Sequence, residues 1–156
     1  MQKFTVLNTR EIQQIKELLV GQFGCALPGE YVYLKSEKDK IMIIAKDLAR
    51  INFSDLKIDK IGLYFGEMKK NQIRLSKEGA QILAREAGRK KLKNVVELNQ
   101  EEVKEYFSGK DLEFNLGPEN RLVLLQYRQE IMGCAQYKEG KILNFLPKLY
   151  RGKVIV

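Results

Sequence analysis

A chain of 156 residues, 44% apolar and 31% charged, is long enough for one ordinary domain or two small ones with a real core, and this composition argues against disorder. Its net charge of +8 attracts polyanions, so RNA, DNA and anionic membranes all qualify as partners. The chain has no histidine, which excludes a histidine-based catalytic triad, a HExxH protease and a Cys/His zinc finger.

Asn8 and Glu11 stand at capping-box spacing, and Ile12, Ile15, Leu18 and Leu19 mark one face of a first helix that Gly21 and Gly24 end. Tyr31-Val32-Tyr33-Leu34 and Ile41-Met42-Ile43-Ile44 flank polar residues 36–40 and read as a hairpin, the continuous apolar run of the second strand implying burial on both faces. Residues 52–60 are mixed and polar, and the boundary between an N-terminal unit (1–57) and a C-terminal one (58–156) is placed there. Residues 61–65 and 72–75 then flank Lys69-Lys70-Asn71, a basic hairpin tip. Ser76 caps a helix with Ala80, Leu83, Ala84 and Ala87 on its apolar side, closed by Gly88 and followed by Arg89-Lys90-Lys91-Leu92-Lys93.

A short strand at 95–98 leads into a helix from Asn99, with Glu102 as its capping-box partner, Val103, Tyr106 and Phe107 on its apolar side, and Gly109 as its stop. The rest reads as an antiparallel meander at 122–127, 131–136, 142–145 and 154–156, with turns at Arg128-Gln129-Glu130 and Lys138-Glu139-Gly140. Gly66 and Gly133 interrupt apolar strands, where glycine marks a bulge or tight packing. The expected class is α+β, with an N-terminal α/β unit packed on a small, partly closed C-terminal β-barrel. Split after Lys57, the first part holds nine Lys/Arg against seven acids and the second nineteen against thirteen, which assigns the positive charge mainly to the C-terminal unit.

The candidate contacts are cations and their polar neighbours. Residues 121–156 hold seven Lys/Arg against two acids, and there Lys141, Asn144, Lys148, Tyr150, Arg151 and Lys153 combine phosphate-binding charge with groups able to meet or stack on a base. Tyr150 reads equally as a barrel residue with its hydroxyl at the rim. Lys90, Lys91 and Lys93 with Arg89 form either an RNA-phosphate clamp or a solvated connector, and Lys69 and Lys70 carry the same two readings. Arg121 and Arg128 bracket one predicted strand and either flank a groove or simply end the strand. Glu101, Glu102 and Glu105 are read as a solvated helix N-terminus rather than an acid-base or metal site. Cys25 and Cys134 lie in no metal-ligand spacing and are read as reduced thiols. The first residues lack the apolar core of a signal peptide and no 18-residue apolar run occurs, so the expectation is a cytoplasmic protein with no membrane, metal or cofactor.

Three stretches together are familiar: Leu63-Tyr64-Phe65-Gly66-Glu67-Met68-Lys69-Lys70-Asn71, then Val95-Val96-Glu97-Leu98 with Tyr106-Phe107-Ser108-Gly109-Lys110, then Ile131-Met132-Gly133-Cys134-Ala135 and the run from Gly140 to Arg151. Their order and spacing over residues 60–151 resemble the C-terminal, PUA-like RNA-binding region of the Sun/Fmu-type RNA cytosine-C5 methyltransferases, and the N-terminal portion resembles a pre-PUA unit. The resemblance implies RNA contacts from Lys104 and Lys110, on the helix and glycine loop that such domains present to RNA.

The departures are as informative. Some 60 residues stand where the enzymes carry an S-adenosylmethionine domain, no glycine-rich cofactor loop occurs, and the cysteines sit in Gly-Cys-Ala contexts instead of the family's Pro-Cys or Thr-Cys. The expectation is therefore a non-catalytic protein that recognises structured rRNA or tRNA in ribosome biogenesis or RNA modification. The alternative is an accessory subunit supplying RNA contacts in trans to a separately encoded methyltransferase or ribosome-assembly factor.

Overall fold

Asn8 starts the first helix as its spacing predicts: its side chain accepts from the Glu11 N–H at 2.9 Å, and the Glu11 carboxylate accepts from the Asn8 N–H at 3.1 Å. This is α1, Thr9–Phe23, in a computed structural model that describes residues 3–46 and 62–144. Gly21 lies inside the helix, because burial of Phe23 beyond it carries the helix past; Gly24, in the left-handed region at φ 87°, ends it.

The chain divides into two compact units, Met1–Lys93 and Asn94–Val156. In the first, β1 (Phe4–Val6), β2 (Tyr31–Ser36), β3 (Lys40–Ala45), β4 (Leu63–Lys69) and β5 (Gln72–Leu75) form an antiparallel sheet in chain order. One face packs on α1 and on α2 (Lys77–Ala87), burying Ile15, Leu19, Phe23, Ile41, Ile43, Phe65, Ile73 and Leu83. On the other, Leu34, Met42 and Ile44 cluster with Phe4 and Val32, so β3 is buried on both faces as its unbroken apolar run implied.

Ser76 caps α2, accepting from the Gly79 N–H at 2.9 Å while its hydroxyl donates to the carbonyls of β4, which ties the helix to that strand. α1 reaches the edge strand: the Gln22 amide donates to the Ile73 carbonyl at 2.9 Å and accepts from the Ile73 N–H at 2.8 Å, occupying polar groups that an edge would leave open.

In the second unit, β6 (Val95–Glu97) runs parallel to β8 (Arg121–Tyr127), and β8, β9 (Glu130–Lys138), β10 (Lys141–Leu143) and β7 (Leu112–Glu113) follow in antiparallel order. The sheet curls into a half-barrel. Its core joins Val96, Val123, Leu125, Ala135, Tyr137 and Ile142 to Val103 and Tyr106 of α3 (Gln100–Phe107), which opens on the Asn99–Glu102 capping box. The α+β class is thus borne out.

Gly66 and Gly133 both stand at bulges. Ile41 pairs with Gly66 and Met42 with Tyr64, leaving Phe65 as the additional residue; Leu125 pairs with Gly133 and Gln126 with Ile131, leaving Met132. The boundary expected between residues 57 and 58, like the predicted strand at 154–156, lies outside the described residues. Residues 63–75, expected in the C-terminal unit, pair into the N-terminal sheet, because β3 offers β4 a strand partner within its own unit.

Candidate nucleic-acid interface

With the division at Lys93, the charge moves to the other unit. Met1–Lys93 holds nineteen Lys/Arg against eleven acids, whereas Asn94–Val156 holds nine of each. Over these two units the positive charge falls in Met1–Lys93, whereas the division after Lys57 puts it in the C-terminal part. Between residues 69 and 93 alone there are nine cations and two acids, Glu78 and Glu86.

That cationic stretch is anchored by backbone contacts. Arg89–Lys91 forms a 3-10 turn after Gly88, and the Lys93 N–H donates to the Phe23 carbonyl at 2.8 Å, seating the segment on the C-terminal end of α1. Gly24 permits that seat, since a Cβ there would stand 2.3 Å from the Lys91 carbonyl oxygen. α1 has no basic residue in its last turn, and Lys91 and Lys93 bring positive charge to its C-terminal end. Arg89, Lys90, Lys91 and Lys93 are exposed and, among the described residues, form no ion pair. Cys25 beside them is buried; burial pushes its thiol pKa up while Lys91 partly opposes the shift, so the thiol stays protonated at neutral pH.

At the β4–β5 tip, Lys70 and Asn71 occupy the two left-handed positions of a tight turn, at φ 49° and 61°. Lys70 is exposed, and Lys69 Nζ bonds the Glu67 carboxylate at 2.8 Å.

The predicted contacts of the second unit part company. Arg121 is committed to its own fold: Nε donates to Asn94, one terminal nitrogen donates to the Leu116 and Glu119 carbonyls, and the guanidinium lies 5.4 Å from the Tyr137 ring centroid. Tyr137 holds the same loop, its hydroxyl donating to the Gly117 carbonyl and accepting from the Leu116 N–H. Asn144 is equally structural, its amide donating to the carbonyls of Tyr106 and Lys110 and its N–H to Asp111. Arg128 is exposed at the β8–β9 turn, stacked at 5.1 Å over Tyr127. Lys104, Lys110 and Lys141 are exposed. Lys148, Tyr150, Arg151 and Lys153 lie outside the described residues. An open depression of about 440 Å³ lined by Glu113, Phe114, Asn115, Glu139, Gly140 and Lys141 carries two carboxylates to one ammonium, which disfavours a phosphate.

The strand register brings together one grouping that residue spacing does not show. On the face of β3–β5 turned away from α2, the register brings Lys40 opposite Glu67 and Glu67 opposite Arg74, beside Tyr64 at 38% exposure. Lys40 Nζ stands 5.8 Å from the Tyr64 ring centroid. The Phe65 bulge puts Tyr64 and Glu67 on one face although they are three residues apart, so simple strand alternation cannot find the group. A hairpin register counted back from the Lys70-Asn71 turn would have placed Glu67 against Arg74.

Residues 93–151 match the family model of the Methyltransferase RsmF PUA domain. Among curated proteins the chain is similar to ribosomal RNA small subunit methyltransferase F of Vibrio parahaemolyticus, 26% identical over 93% of this chain and 30% of the relative. The methyltransferases F of Shewanella oneidensis (22% identical, 98% of this chain and 31% of the relative) and Aeromonas salmonicida (23%, 93% and 29%) are similar too. The chain thus spans about 30% of the length of these relatives. The resemblance to the PUA-like region of the Sun/Fmu-type RNA methyltransferases is borne out, over residues 93–151 by the domain model and over nearly the whole chain by the relatives.

Proposed function

We propose that this chain is a non-catalytic RNA-binding protein that recognises structured rRNA or tRNA and works in the cytoplasm, in ribosome biogenesis or RNA modification. The PUA-domain match over residues 93–151 carries the reading, since a PUA domain of an rRNA methyltransferase family implies RNA binding. Its electrostatics support it: Lys70, Lys90, Lys91 and Lys93 offer phosphate contacts in the first unit, and Lys104, Lys110, Arg128 and Lys141 add exposed cations in the second. The mechanism is capture of the phosphate backbone by Lys/Arg, then docking against the shape of the RNA. Among the described residues no helix is long and apolar enough to cross a membrane.

Filter binding at low salt against a structured rRNA fragment or tRNA tests this. The reading expects a clear preference over a random polyanion such as heparin, and equal retention of both defeats it. A second reading, favoured by similarity to about 30% of full-length rRNA methyltransferases, is an accessory subunit acting in trans with a separately encoded RNA methyltransferase. It expects a stoichiometric complex in a pull-down and a stimulated methylation rate.

A further inference from the structure

We propose that the β3–β5 face opposite α2 is a binding site for an unpaired stretch of RNA, with one base stacked on Tyr64 and the flanking phosphates held by Lys40 and Arg74. This deepens the RNA-binding reading and rests on it, but it places a contact in the first unit, outside the matched PUA region.

The strand neighbour of Tyr64, Phe65, is fully buried, whereas Tyr64 leaves 38% of its surface in water, on a sheet face where Met42, its cross-strand partner, is buried. A partly exposed aromatic ring carried on a strand is the element that sequence-tolerant binding of single strands uses, because every base has a π-face. The surroundings supply the second requirement, positive charge along the backbone track. Lys40 already stands over the ring at 5.8 Å, and Arg74 lies one strand across from Glu67 on the same face. Glu67, the one carboxylate in the group, pairs with Lys69 at 2.8 Å, and the group counts three cations, Lys40, Lys69 and Arg74, against it. The β4–β5 turn adds Lys70 at the end of the track. A bare apolar patch would fit many partners; a stacking ring flanked by cations fits a single-stranded polyanion with aromatic bases.

The chain contains no tryptophan, so Tyr64→Trp gives the full chain a single reporter at the site. Titrated with a uridylate oligomer of about eight nucleotides, it should show saturable quenching of its fluorescence. Tyr64→Ala should weaken binding of the oligomer about tenfold and Tyr64→Phe should retain it, with duplex RNA binding unchanged in both. Thermal melts of each variant establish that the fold is kept. Duplex binding together with unchanged oligomer affinity in Tyr64→Ala overturns this site alone, as does an equal loss in Tyr64→Ala and Tyr64→Phe. Failure to bind any RNA overturns the site and the proposed function together.

Discussion

Gly79 sets how closely α2 can lie on β4: a Cβ at that position would stand 2.0 Å from the Phe65 carbonyl oxygen, a backbone atom with nowhere to go. Gly79→Ala should therefore destabilise the first unit by about 2–3 kcal/mol in urea unfolding, despite the better helix propensity of alanine. Tyr33 presents the opposite case. Its side chain is buried, and its hydroxyl has no hydrogen-bond partner among the described residues. Tyr33→Phe should stabilise by about 1 kcal/mol, since it removes an unsatisfied polar atom and leaves the ring. Burial, with smaller contributions from Tyr31 and Glu86, pushes the Tyr33 pKa up to about 12. Because the folded value lies above the unfolded one, the unfolded chain loses its proton first, and the stability present below pH 10 falls as pH rises toward 12. Melts across that window should show a shallower alkaline decline in Tyr33→Phe; an unchanged decline would mean that other groups set it.

Elements were legible where the signal is local. Asn8 and Asn99 announce helix starts by capping-box spacing and Ser76 by residue type, and all three side chains cap as expected. Hairpin turns were visible as polar breaks between apolar runs, but their stereochemistry was not. Lys70-Asn71, Arg128-Gln129 and Glu139-Gly140 all take two left-handed residues in succession, and only the last pair includes glycine. Replacing Arg128-Gln129 with Asn-Gly should stabilise the β8–β9 hairpin by about 1 kcal/mol, measured as a rise in the urea midpoint. The Phe65 and Met132 bulges were legible only as glycines out of place; a bulge shifts side-chain parity, which is why the Lys40, Tyr64 and Arg74 grouping was not. Arg121 and Asn144 show the converse limit. Both carry nucleic-acid chemistry in their side chains, yet both use it on carbonyls of their own unit, brought near by a loop and a helix end that no spacing reveals.

At the scale of the molecule, the resemblance named the right family of domain, while the charge distribution points elsewhere for the attraction of polyanions. The PUA match covers a unit with no net formal charge, and the +8 of the chain resides in the unit before it. The proposed division of labour follows: the first unit supplies long-range attraction and phosphate binding, and the second contributes shape. Neutralising Lys90, Lys91 and Lys93 to alanine should cut RNA affinity and lower the slope of log affinity against log salt by about two to three, since each neutralised phosphate contributes roughly 0.9 to that slope. Neutralising Lys104, Lys110 and Lys141 should lower it less. The most direct test is a fluorescence-anisotropy titration of a structured rRNA fragment by the full chain and these two triple variants, at several salt concentrations. The expected result is a steep salt dependence that flattens chiefly in the Lys90, Lys91 and Lys93 variant. Equal slopes in the native chain and that variant would contradict it.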